Sequence, residues 1–457
     1  MKSLLVAVLC TALLTAQELK QLQPGAGAGA HQVHAWKSKA GLRYAWVVPK
    51  GYDGKTAVAL TVICHGTGLD HRWGFANNPP GVFRPNDVVV SVDGPSPGPD
   101  NSRLFLGEPK DGKAFKEFLD ELQAAFAVDR VFLYGHSQGG FFVVWFAGEY
   151  PEAVQGVVAH ASGAWNWSKT GKPVQKVAIA FMHGTLDPVV PFQQSPGARD
   201  AYLAAGLPLV HLRRLQNYNH WPNAVRANEC LSWCEGMTTA SPAIALAAAE
   251  QILLPKKPDE YQWETVVGYG AARQVLGRIT GDEKPAFKDA EAATREKAQK
   301  LVDRIEAEGG RHVEALKQQV AKKDDLVLKS PASWLGHLLP LREDFRSVRS
   351  VEAYVKAIDF DEHRKQQQKA FNAVVTAWYD DKAAEVAKVK AILTGLPHAF
   401  LFEGFPPELA QKLTDWPTNY KKQLGKPELA EVPKCEAWVA GWKAGLEAYR
   451  AFWKQWK

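Results

Sequence analysis

The first 255 residues alternate short, continuously apolar runs with stretches of helical periodicity, and that alternation leaves few folds open. The runs at 57–64 (AVALTVIC), 87–92 (DVVVSV), 130–134 (RVFLY), 156–160 (GVVAH) and 177–182 (VAIAFM) are rich in β-branched residues. They lack the polar alternation of a strand with one wet face. Strands apolar on both faces must be covered on both, as in a parallel sheet whose crossovers are helices. Runs at 44–48 (YAWVV) and 209–215 (LVHLRRL) read as further strands. Helices are expected at 111–126, 139–150 and 241–254, the last with Ser241 as N-cap and Pro242 at its first position. This part of the chain is expected to be α/β, with a mostly parallel sheet.

The pattern changes near residue 260. Glycine-rich turns between apolar runs give way to long charged stretches, so a domain boundary is expected around LLPKKPDE at 253–260. Beyond it, the segments at 286–308 and 361–395 place apolar residues at three-to-four spacing among charges, and read as helices. The second stops at Gly395 with Pro397 just beyond. Its stripe, which includes Phe371, Val375, Trp378 and Val389, reads as a helix-packing face. The expected organisation is a leader at 1–16, an α/β domain at 17–257 and an all-α domain at 258–457.

The leader is read from MKSLLVAVLCTALLTAQ: Lys2, an apolar run from Leu4 to Leu14, and small Ala16. That is the layout of a secretory signal peptide, too short for a comfortable permanent anchor. No later run is apolar enough to span, so an exported protein without stable membrane insertion is expected. The net charge is only +6 over 457 residues, with no concentrated basic stripe, which argues against nucleic acid as a partner. Of the five cysteines, Cys230 and Cys234 sit four apart. A bridge between them is open in an exported protein, although i and i+4 side chains on a helix bridge poorly. No second Cys or His pair lies at ligand spacing nearby, so no metal is expected.

Chemistry enters at LYGHSQGG, 133–140. Ser137 sits where an apolar strand ends and a helix begins, between Gly135 and Gly139. A serine on so sharp a strand-to-helix turn presents its hydroxyl above the sheet, and small neighbours let strand and helix approach closely. A hydroxyl is a weak nucleophile at neutral pH and needs a base, which in turn needs an orienting acid. HGTLDPVVP follows the strand at 177–182 and offers Asp187; QNYNHWP follows the strand at 209–215 and offers His220. Three strand-end loops supply three residues of the required types in the order nucleophile, acid, base. An oxyanion formed by attack needs N–H donors. Gln138 at the helix start and Thr67 in the loop ICHGTG are the candidates. His65 and His183, which precede glycines at comparable strand ends, read as structural because one base suffices. Trp165 and Trp221 lie in strand-end loops and either line a substrate pocket or pack, as does Trp167.

GHSQGG, HGTLDPVVP and NHWP together resemble the α/β-hydrolase superfamily. The likeness is to its dienelactone hydrolase and phospholipase/carboxylesterase branch, and to secreted feruloyl-esterase and polyhydroxybutyrate-depolymerase-like esterases. It covers about residues 35–255. The resemblance implies an eight-stranded sheet and a Ser137–Asp187–His220 triad. It further implies a small-molecule or polysaccharide-linked ester as substrate, and no metal or organic cofactor. The segment 163–176 leaves no room for the lid that many members insert there. The helical region after 258 has no counterpart in that pattern. A serine peptidase on the same fold, and an inactive binding protein, are the other readings that the triad leaves open.

Overall fold

The computed structural model describes residues 36–165, 176–215, 218–254, 268–284, 286–321 and 345–357. The leader, the boundary stretch at 255–260, Trp167, Cys435 and the stripe at 371–393 lie outside the described residues.

Eight strands form one sheet: β1 (Trp36–Lys37), β2 (Arg43–Val47), β3 (Val58–Cys64), β4 (Val88–Val92), β5 (Val128–His136), β6 (Gly156–His160), β7 (Ala178–Gly184) and β8 (Val210–Leu215). Their order is β1-β2-β4-β3-β5-β6-β7-β8. β1 and β2 run antiparallel to their neighbours, while β4, β3 and β5 to β8 are mutually parallel. Every residue of β4, β6 and β7 is buried, as strands covered on both faces require.

Helices supply the cover, and their sequences show why they form. α1 (His71–Asn77) is capped by Asp70, whose side chain accepts from the Arg72 N–H. α2 (Pro109–Ala125) opens with Pro109 at its first position and buries Phe115, Phe118, Leu119 and Leu122, which share one helical face. α3 (Gln138–Glu149) buries Phe142 through Ala147 without a break, because it lies between sheet and neighbouring layers. α4 (Gln194–Ala204) is followed by α5 (Ala224–Thr238), which is capped by Asn223. α6 (Pro242–Leu253) starts as its sequence dictates: Ser241 Oγ accepts from the Ile244 N–H and Pro242 fills the first position.

α7 (Tyr269–Thr280) lies after the composition boundary yet packs on the same body. Trp233 Nε1 donates to Gln274 Oε1 at 2.9 Å, and Arg278 Nη2 donates to the Thr239 carbonyl at 3.0 Å. Val275, Leu276 and Ile279 are fully buried. The compact unit accordingly extends to Asp303, inside α8 (Ala292–Ala321), rather than stopping where the glycines thin out. Of the charged helical stretch expected at 286–308, residues 292–308 form the first half of α8, while 286–291 are not helical. In the second unit, Ser350 Oγ at the start of α9 (Arg349–Ala357) donates to the Glu306 carbonyl at 3.2 Å. Phe345, Val348, Val351 and Val355 are buried there. Among the described residues no helix is long and apolar enough to cross a membrane.

Cys64, Cys230 and Cys234 are free and buried. Cys230 and Cys234 both stand on α5, where side chains four apart point along one face and do not meet the geometry of a bridge.

Candidate active site

Ser137 links β5 to α3 with φ +52° and ψ −117°, a backbone conformation that residues other than glycine rarely adopt. The glycines on either side make the turn sterically feasible. A Cβ at Gly135 would collide with the Gly139 carbonyl, and one at Gly139 would collide with the Cys64 carbonyl. The turn is pinned from both sides: the Ser137 N–H donates to the His160 carbonyl at 2.9 Å, while the Ser137 carbonyl accepts from Gly140 and Phe141. Over-determination of this kind is what holds a strained backbone in place.

Gln138 is the first residue of α3, so its N–H has no partner within the helix and forms part of the positive end of the helix dipole. Its side chain accepts from the Phe105 N–H at 3.3 Å, which ties the loop at 105 to the same turn. The loop after β3 comes close to the serine, for a Cβ at Gly66 would lie 3.2 Å from that of Ser137. The Gly94 N–H donates to His65 Nε2 at 3.3 Å, so the proton of the neutral ring is on Nδ1, which donates to the Gly66 carbonyl at 2.8 Å. Burial lowers the pKa of His65 and favours that neutral form. Across a trans peptide C=O and N–H point in opposite directions. The N–H of the exposed Thr67 therefore points away from the His65 ring.

Asp187 and His220 meet. Asp187 leaves the end of β7 and His220 the end of β8, and the Leu186 N–H donates to the Tyr218 carbonyl at 2.9 Å, joining the two loops. His220 Nδ1 lies 2.7 Å from Asp187 Oδ2, so it carries a proton and leaves Nε2 as the basic nitrogen. The other carboxylate oxygen, Oδ1, accepts from the Val189 and Val190 amides at 2.8 and 2.9 Å. Burial alone would raise the Asp187 pKa, but the hydrogen bonds from His220, Val190 and Val189 outweigh it and leave the carboxyl below its ordinary range. The Asp187 side chain is wholly shielded from solvent.

His136, next to Ser137, is buried and stacks on Trp73 with ring centres 4.9 Å apart. Its ring centre lies 4.8 Å from that of His220. Burial, with His220 adding repulsion, pulls its pKa down to about 3, so it is neutral at any pH near 7. Trp165 stacks on Phe141 at 5.2 Å and packs against Gly107, a packing partnership. Trp221 is 57% exposed beside His220, and Leu186 and Val189 flank Asp187 at 62% and 64%. Sequence reasoning brought Ser137, Gln138, Asp187, His220 and Thr67 to the strand-end loops where they stand. It missed the part of His183, which lies 3.1 Å from Asp187 Oδ2. The signal was there in HGTLD, a histidine four residues before the acid at a strand end. Among the described residues no group of three or more His, Cys, Asp or Glu is placed to hold a metal ion.

Residues 63–224 match the family model of the alpha/beta hydrolase fold. No curated protein matches the chain in sequence. Among solved structures, a carboxylesterase from Mesorhizobium loti is 16% identical with TM-score 0.38, covering 44% of this chain and 99% of its own. A Bacillus cereus carboxylesterase is 18% identical with TM-score 0.35, covering 43% and 95%. A ferulic acid esterase from Anaeromyces mucronatus, solved with ferulic acid, is 16% identical with TM-score 0.34, covering 45% and 89%. This chain spans about half (54%) of a thermostable esterase that is 19% identical, covers 40% of this chain and has TM-score 0.32. Residues 63–224 thus carry the alpha/beta hydrolase fold that the family model describes.

Proposed function

We propose that the protein is a serine hydrolase of carboxylic esters. The observation that carries this reading is the constrained Ser137 turn together with the Asp187–His220 pair, all following the carboxyl ends of β5, β7 and β8 in one sheet. Ser137 Oγ attacks the ester carbonyl and His220 Nε2 accepts its proton. Asp187 holds the imidazole through Nδ1–H and stabilises the imidazolium. The N–H groups of Gln138 and Thr67 are the donors for the oxyanion, Gln138 with the added pull of the helix N-terminus. His220 then gives its proton to the departing alcohol. Water attacks the resulting acyl-serine with the same histidine as base, and the acid is released.

The exposed Leu186, Val189 and Trp221 around the Asp187–His220 loops favour an ester with a substantial apolar or aromatic part. The substrate class is a small-molecule or polysaccharide-linked ester. Export rests on Lys2 and the apolar run Leu4–Leu14. Labelling with a fluorophosphonate, followed by peptide mapping, tests the nucleophile directly. The label is expected on Ser137, and hydrolysis of p-nitrophenyl acetate should vanish with it. A protein that hydrolyses the ester unlabelled at Ser137 would refute the reading. Sequencing the amino terminus of protein recovered outside the cytoplasm tests the leader, and an intact Met1 there would exclude cleavage.

A further inference from the structure

The carboxylate of Asp187 serves two imidazoles. His220 Nδ1 lies 2.7 Å from Oδ2, and His183 Nε2 lies 3.1 Å from the same oxygen. His183 Nε2 is also 3.0 Å from the Val190 carbonyl. Both atoms facing Nε2 can only accept, so Nε2 must carry a proton. On the other side of the ring, Nδ1 lies 2.7 Å from Ser195 Oγ, which is itself 2.5 Å from the Ser162 carbonyl oxygen. The single proton of the Ser195 hydroxyl is shared between the two acceptors that flank it, Nδ1 of the neutral ring and the Ser162 carbonyl, and the ring is completely shielded from solvent. A histidine with both edges engaged and no access to water cannot be a second base. Its position suits another task.

We propose that His183 is a positioning residue for the base, an inference that rests on the reading of Ser137, Asp187 and His220 given above. Its Nε2–H occupies one lone pair of Oδ2 and fixes the carboxylate plane, so that the remaining lone pair is aimed at His220. It also draws charge from that oxygen. A carboxylate that already receives a second N–H is a weaker partner for the imidazolium of His220, so His220 returns its proton to the leaving alcohol more readily. Four further groups bear on the pair. His136 faces His220 with ring centres 4.8 Å apart, and His160 lies behind it, with Nδ1 3.0 Å from His136 Nδ1. Phe192 packs on His183 at 5.7 Å, and Arg214 sits over the Phe192 ring at 5.0 Å. His136 and His160 are held neutral by burial.

The test compares wild type with His183→Phe, which keeps a ring but loses the donor, and with His183→Gln, which places an amide N–H near the position of Nε2. Hydrolysis of p-nitrophenyl acetate is followed from pH 5 to 9. His183→Phe should lower kcat about tenfold with little change in KM, and move the acidic limb of kcat/KM up by about 0.5–1 pH unit. His183→Gln should restore most of both. A folded His183→Phe protein whose limb stays in place, or equal losses in Phe and Gln, would overturn the proposal, since packing alone would then explain the effect. A second arm needs no substitution at His183 and no turnover. In the Ser137→Ala protein, imidazole nitrogen NMR should find the His183 proton on Nε2; a proton on Nδ1 alone would refute the assignment even if His183→Phe fails to fold. Undiminished ester hydrolysis by Ser137→Ala would instead refute the underlying reading, and the NMR arm would still judge the role of His183.

Discussion

Ser137 and Gly66 face each other across the mouth of the sheet: a Cβ on Gly66 would stand only 3.2 Å from that of Ser137. The loop after β3 and the turn after β5 thus come close together, as the proposed roles of Thr67 and Ser137 require. Contact this close comes at a steric cost. Gly66→Ala would also bring its methyl to 3.1 Å from the His136 ring. The variant should fold, because both neighbours are side-chain atoms, yet lose about 10²-fold or more in kcat as the Thr67 amide is pushed aside. Steady-state kinetics with a circular dichroism control would check this. An unchanged kcat would mean that the β3 loop takes no part in the chemistry.

The triad itself predicts a graded series. Ser137→Ala and His220→Ala should each remove nearly all ester hydrolysis, and the double variant should be no worse than either, since the groups act as a unit. Asp187→Asn should cost about 10³–10⁴-fold, because an amide can present its N–H₂ to Nδ1 and stabilise the wrong tautomer. Measured kcat/KM values that multiply in the Ser137→Ala/His220→Ala protein would contradict a shared mechanism.

Four buried histidines near the site give the domain a pH-dependent stability. Burial lowers the pKa of His65, His136, His160 and His183, to about 3 for His136. In the unfolded chain each titrates near its ordinary value of about 6.5. Between those values the unfolded state binds a proton that the folded state does not, so stability is complete above the unfolded value and is lost as pH falls below it. Each such histidine contributes a slope of about 1.4 kcal/mol per pH unit in that window. Denaturant melts from pH 7.5 to 5 should therefore show a steep fall in stability. His136→Gln should reduce the slope by one proton's worth, and a slope that stays the same would show that His136 is protonated in the folded protein.

How far the sequence announces this structure depends on what each element buries. The central strands were legible because they are apolar on both faces, and α6 because Ser241 and Pro242 mark its start. α5 is not among the helices that the sequence pattern announced. Its sequence carries Arg226 and Glu229 as if they faced water, but both are buried, paired at 2.9 Å, and Glu229 also lies 3.0 Å from Arg213. β1 has only two residues, too few for any pattern, and the antiparallel pairing of β2 with β4 is set by tertiary contact. At the site, the strand-end positions of Ser137, Asp187 and His220 were legible because each follows an apolar run. His183 was not, because its bond to Asp187 depends on how the loop at 185–190 folds back, which no periodicity records.

The cysteines offer a chemical probe of packing. Cys64, Cys230 and Cys234 are free and buried. Burial pushes the thiols of Cys64 and Cys234 up, so little reactive thiolate forms at neutral pH. Iodoacetamide should leave all three unmodified in the native protein and alkylate all three in denaturant, as read by peptide mass spectrometry. A reductant should not be needed for the alkylation of Cys230 and Cys234. Recovery of a Cys230–Cys234 disulfide peptide would refute the free-thiol assignment.

The final prediction concerns α7, which lies beyond the change in composition but shares the core of the first unit. Gly236 on α5 faces Val275 on α7: a Cβ at 236 would lie 2.5 Å from Val275 Cγ1 and 2.7 Å from Cγ2. Alanine favours a helix over glycine by about 1 kcal/mol, whereas overpacking a fixed contact costs about 1–3 kcal/mol. Since Val275 is fully buried and has nowhere to move, the clash should prevail and Gly236→Ala should lower the melting temperature of the α/β unit. Val275→Ala alone should also destabilise, by the loss of two buried methyl groups. Together the two changes should partly cancel, because the new methyl at 236 fills space that Val275 vacated. The double-mutant cycle should thus give a favourable coupling of about 1 kcal/mol or more. The loss of ester hydrolysis on heating should follow the same midpoint in every variant, since α7 and the triad would unfold together. Additive effects, or activity that outlasts the α7 transition, would show that α7 is not part of the cooperative unit that holds the site.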